Sequence, residues 1–77
     1  MAAYRIWARV QRCVPEGFLA VAAAMRDEPG AGPDTRDVRM RRYGSLRACR
    51  EEIGLLVHDL ASCVMRRGDR LVKLDVR

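Results

Sequence analysis

Seventy-seven residues, 49% hydrophobic and 32% charged, fit one small domain, 1–77, near the size at which a single core barely suffices. That composition excludes both a disordered chain and a two-domain one. The net charge of +5, with a pI near 9.9, biases encounters toward polyanions and acidic surfaces, although all but one of the basic residues are arginine, a skew that GC-rich codon choice also produces.

Residues 4–13 alternate Tyr4, Ile6, Ala8 and Val10 with Arg5, Trp7 and Arg9. A period of two predicts a half-buried β-strand with one apolar face and one cationic face bearing the tryptophan. Val14-Pro15-Glu16-Gly17 then reads as a tight hairpin turn, with proline setting a type I φ and glycine taking a left-handed one. From Phe18 to Met25 both alternate sets are apolar, which predicts a central strand buried on both sides. A short helix is the alternative for this alanine-rich run, but two turns fall below the length of a stable isolated helix.

Arg26–Asp37, with two prolines and two glycines among acidic residues, reads as a mobile loop. Val38–Tyr43 follows as a third strand, with Val38 and Met40 expected inward and Arg39, Arg41 and Tyr43 outward, although Arg42 breaks the inner set at its end. Ser45 is placed to cap a helix whose apolar stripe is Leu46, Cys49, Ile53, Leu56, Val57, Leu60 and Val64. Arg66 and Arg67 favour its C-terminal end, and Gly68 closes it as a left-handed cap. Gly54 lies off the stripe, and close packing or simple tolerance would account for it. Arg70–Val76 supplies a last strand with Val72, Leu74 and Val76 on one face. The predicted fold class is α+β: a three- to four-stranded, mainly antiparallel sheet packed on one helix, in the order ββ-loop-β-α-β.

Little in the chain points to catalysis. His58 falls away from the apolar stripe and reads as a solvated side chain, and the phosphate-loop, dinucleotide, zinc-protease and nucleophile-elbow motifs are missing from the sequence. Cys13 beside Arg12 at the hairpin mouth has the setting of an activated thiol, or of an ordinary edge-strand cysteine. A small hydrolase using His58 or Cys13 is therefore the remote option, and a non-enzyme the expectation. Cys13, Cys49 and Cys63 include no CxxC pair and lack the imidazole spacing of a zinc site, so neither metal nor cofactor is expected. Cys49 and Cys63 stand about 21 Å apart along the predicted helix, too far to bridge. Free thiols, a start without a leader-like apolar run and the lack of a spanning segment lead to the expectation of a cytoplasmic chain without membrane contact.

The candidate binding surface is the outer sheet face. Arg5, Trp7, Arg9, Arg39, Arg41, Tyr43 and Lys73 would form there a basic surface with two stacking aromatics, suited to single-stranded nucleic acid or to a partner protein. The small core also favours a homodimer, since burying a strand edge or sheet face against a second copy adds apolar burial.

Tyr4 opening strand one, Glu16-Gly17-Phe18-Leu19-Ala20 at the hairpin, and Gly44-Ser45 leading into Ala48 and the helix stripe resemble the HicB-like antitoxin domain over residues 4 to 66. The resemblance implies a small non-catalytic partner of an RNA-cleaving toxin, commonly self-associating. The leading expectation is thus an interaction module with a protein partner. The alternative is a small RNA- or DNA-binding protein using the arginine-rich sheet face.

Overall fold

A computed structural model describes all residues, Met1–Arg77. The elements are β1 (Ala3–Arg12), β2 (Phe18–Arg26), β3 (Pro33–Tyr43), α1 (Leu46–Arg66) and β4 (Arg70–Val76). They form the expected α+β arrangement, one four-stranded sheet in the order β3-β2-β1-β4. β2 lies antiparallel to both of its neighbours, and β4 runs parallel to β1 on the far side. The direction of β4 follows from the connection. β3 points the same way as β1, and the 21-residue helix carries the chain back along the sheet, so the next strand must start at the end where β1 starts.

The turn between β1 and β2 is closed by the Cys13 amide donating to Gly17 O at 2.9 Å. Gly17 has φ 97°, the left-handed conformation expected of it, and the Val14–Pro15 peptide bond is cis. β2 is the central strand the sequence predicts: Ala20, Val21, Ala22, Ala23 and Ala24 are all buried. Ala20, Ala22 and Ala24 face the helix together with Ile6 and Ala8, and against them pack Cys49, Ile53, Leu60 and Val64 of the predicted stripe. Alanines across the sheet floor let the helix axis approach closely, and the larger side chains come from β1 and α1.

Both helix ends are formed as the sequence reads. Ser45 Oγ accepts from the Ala48 amide at 3.1 Å. At the other end the Gly68 amide donates to Met65 O and the Asp69 amide to Val64 O, the paired bonds of a Schellman motif, with Gly68 at φ 86°. Asp69 Oδ1 then accepts from the Ala2 amide at 3.0 Å, pinning the start of β4 to the start of β1. Gly54 is exposed, and a Cβ built there meets nothing within 4 Å, so its tolerance and not close packing explains it.

The structure departs from expectation at β3. The strand begins at Pro33, five residues before the predicted Val38 start, and the true connection is the short segment 27–32. Proline at the first position of an edge strand removes no ladder bond, which is why the composition of this stretch did not prevent an extended chain. The register jumps between Ala23, opposite Val38, and Met25, opposite Pro33, so the residues between Pro33 and Val38 bow out of the ladder. Asp34 accepts there from the Arg36 amide at 3.0 Å and from its guanidinium at 2.9 Å.

The facing of β3 is also reversed. Arg39 pairs with Ala22, Arg41 with Ala20 and Tyr43 with Phe18, which puts this set on the helix side. Val38 and Met40 lie opposite Ala23 and Val21 on the open side, and Met40 is 64% exposed. Strand periodicity separates the two sets but does not name the inner one, and the helix decided it by offering partners to the polar set. Arg39 Nε donates to Asp59 Oδ2 at 2.8 Å, and Arg67 Nη1 of the helix end donates to Asp37 Oδ1 at 2.8 Å.

Candidate partner-binding face

The open sheet face is assembled from alternate residues of all four strands. β1 contributes Arg5, Trp7 and Arg9, β2 contributes Leu19, Val21, Ala23 and Met25, β3 contributes Val38, Met40 and Arg42, and β4 contributes Lys73 and Asp75. Of the seven residues expected to share this surface, Arg5, Trp7, Arg9 and Lys73 do so. Arg39, Arg41 and Tyr43 do not: they belong to the opposite, helix-covered side. The expected surface with two stacking aromatics therefore has one, Trp7.

Trp7 sits over the centre of the sheet. Its indole N–H points at Met25 Sδ, 3.1 Å away, and the Arg9 guanidinium stacks on its ring 5.3 Å from the centroid. Ala23, the cross-strand partner of Trp7, is only 1% exposed although no helix covers it. Trp7 and its neighbours thus make a small apolar platform. A shallow concavity runs along it, lined by Arg5, Trp7 and Arg9 of β1 and by Lys73, Asp75 and Arg77.

The charges around that concavity are unbalanced. Arg5 stands directly opposite Lys73 in the parallel ladder, and like charges in that position repel. Asp75 is the one carboxylate lining the concavity, and it already meets Arg77 at 3.4 Å. Five arginines elsewhere are paired: Arg26 with Glu28, Arg36 with Asp34, Arg39 with Asp59, Arg47 with Glu51 and Arg67 with Asp37 and Asp69. Arg5, Arg9 and Lys73 have no such partner, and the Nε of Arg5 is buried without a hydrogen bond.

On the helix side the polar groups are structural. Asp59 holds the Arg39 guanidinium above its ordinary pKa, chiefly by hydrogen bonding, and Cys63 Sγ lies 3.6 Å from the same group. Asp37 does the same for Arg67, which also packs on the Tyr4 ring, 5.1 Å from its centroid. Asp37, at the end of the stretch whose composition reads as a loop, is a buried charged side chain, 2% exposed. Its one legible signal was its position two residues before Arg39, in phase with the helix-facing set.

His58 is exposed on α1 and Cys13 half-buried at the hairpin, and they share no hydrogen bond. The three cysteines are free thiols, and burial raises the pKa of Cys49. No helix is long and apolar enough to cross a membrane. Comparison with protein-family models, with curated proteins and with solved structures finds no match to this chain.

Proposed function

We propose that the chain is a small non-catalytic interaction module, of antitoxin-like type, that binds a protein partner through the open face of its sheet. The observation that carries this reading is the pairing of an apolar platform with an uncompensated basic row: Trp7, Leu19 and Met40 beside Arg5, Arg9 and Lys73. Protein interfaces combine an apolar, aromatic-anchored centre with charged groups at the rim. A partner that places a carboxylate between Arg5 and Lys73 relieves their repulsion. A phosphate backbone would meet the same cations but leaves the apolar centre uncovered, and the Trp7 ring is already stacked by Arg9. The ββ-β-α-β order and the hairpin and helix-entry residues support the HicB-like version of this reading, in which the partner is an RNA-cleaving toxin neutralised by contact.

Co-expression with the protein encoded beside this one, followed by size exclusion, tests it. A complex that Arg5→Glu combined with Trp7→Ala weakens about tenfold or more is the expected result. The nucleic-acid reading predicts instead salt-sensitive retention on heparin and a shifted single-stranded RNA band, lost on changing Arg5 and Arg9 to glutamine. Retention of that kind, with no protein complex, overturns the proposal.

A further inference from the structure

The two edges of the sheet differ in kind. β3 opens with Pro33 and carries Arg36, Arg39, Arg41 and Arg42, the charges and proline that keep an edge strand from pairing with another chain. β4 has no proline and sets Val72, Leu74 and Val76 between Lys73 and Asp75. Val72, Leu74 and Val76 are 45%, 53% and 52% exposed, and they alternate along a strand whose register to β1 shifts at Val72.

The backbone of β4 is presented for pairing. Arg77 donates its amide to Ala8 O at 2.9 Å, so in a regular strand the amides of Asp75 and Lys73 also face β1. Those of Leu74 and Val76 then face outward with their carbonyls, whereas Val72 is the extra residue of a bulge opposite Tyr4 and Arg5 and turns its amide inward. The shift of register between Tyr4 and Arg5 accounts for Arg70 also donating inward, to Ala2 O, at the start of the strand.

We propose that this edge binds a second copy of the chain, β4 against β4 antiparallel about a two-fold axis at Leu74, joining two sheets into one of eight strands. The sequence Val72-Lys73-Leu74-Asp75-Val76 is complementary to its own reverse. With Leu74 opposite Leu74 of the second copy, Val72 meets Val76, and Lys73 meets Asp75 on both sides of the axis. The outward amide and carbonyl of Leu74 fall in the closely bonded position of the antiparallel ladder, Val76 falls opposite the bulged Val72, and the charged pairs fall between them. Sliding the strands by two residues in one direction puts Lys73 opposite Lys73, and in the other Asp75 opposite Asp75. Charge therefore selects one register among those that the backbone allows. The axis is perpendicular to the sheet, so both helices lie on one side and both open faces on the other, bringing two copies of Arg5, Trp7 and Arg9 onto one surface while Lys73 is paired with Asp75 across the axis. The inference does not depend on what that surface binds.

Sedimentation equilibrium and size exclusion with light scattering, over a range of concentrations, read the result directly. The parent chain is expected at twice its 8.7 kDa mass. Lys73→Asp and Asp75→Lys each create two like-charge pairs and should weaken the dimer about tenfold or more, whereas the double exchange restores the pairing and the mass. Leu74→Lys, at an exposed position, should give a monomer with unchanged far-ultraviolet circular dichroism. A monomeric parent, single variants that dimerise as the parent does, or a double exchange that fails to restore the dimer while remaining folded, each overturns the proposal.

Discussion

Replacing either member of the Asp37–Arg67 pair tests how β3 is held to the helix. The Asp37 side chain is 3% exposed and that of Arg67 33%, with 2.8 Å between Oδ1 and Nη1. A fully buried pair loses about 3–5 kcal/mol when one partner is removed, because the other is left charged and unpaired. The exposure of Arg67 reduces this, and the two substitutions should differ. Asp37→Ala leaves an arginine that can turn to water and still reach Asp69 at 3.5 Å, so a loss of about 1–2 kcal/mol is expected. Arg67→Met keeps an apolar stem beside Tyr4 but strands a buried carboxylate, and about 2–4 kcal/mol is expected. At roughly 4–8 °C per kcal/mol for a domain of this size, the difference is visible in thermal melts followed by circular dichroism. Urea titration of both single variants and the double variant completes the cycle, and a coupling of about 1 kcal/mol or more should appear. Equal, sub-0.5 kcal/mol losses (about the level of a surface pair) would refute the reasoning, as would a coupling near zero.

Cys49 is buried with a raised pKa, because desolvation disfavours the thiolate. The folded state therefore holds its proton more tightly than the unfolded one, and the resulting stability is fully present below the ordinary value of 9.0 and is lost as pH rises through the higher folded value. Denaturant melts from pH 8 upward should show a decline that is shallower in Cys49→Ala, and equal slopes would argue against it. Ser45→Ala removes the hydroxyl that accepts from Ala48 and should cost about 1 kcal/mol by urea titration, with no change in helix content. Gly54→Ala should stabilise by about 0.5–1 kcal/mol, since the added methyl meets nothing within 4 Å; a loss instead would mean that something covers this face of α1 in solution.

Local chemistry determined much of this protein from the sequence alone. The alternation from Tyr4 to Val10 set the two faces of β1, with Ile6 and Ala8 at 1% exposure and Arg5, Trp7 and Arg9 on the other side. Double-sided apolarity made β2 central, and Ser45, the Leu46–Val64 stripe and Gly68 fixed the helix and both its ends. Each depends on neighbours a few residues apart, where spacing alone carries the physics. β3 is different, because its apolar set, Val38 and Met40, ends on Arg42 and its cationic set, Arg39 and Arg41, ends on Tyr43, so alternation alone did not name the inner face. Contacts made 20 and 30 residues away settled the matter, as Asp59 took Arg39 and Arg67 took Asp37 under the helix, leaving Val38 and Met40 to the open face. The same choice divided the predicted cationic surface in two, keeping Arg5, Trp7, Arg9 and Lys73 together and removing Arg39, Arg41 and Tyr43. The pairing of β4 with β1 was also decided at the tertiary level, and with it the opposition of Arg5 to Lys73 and the exposure of the Val72–Val76 edge.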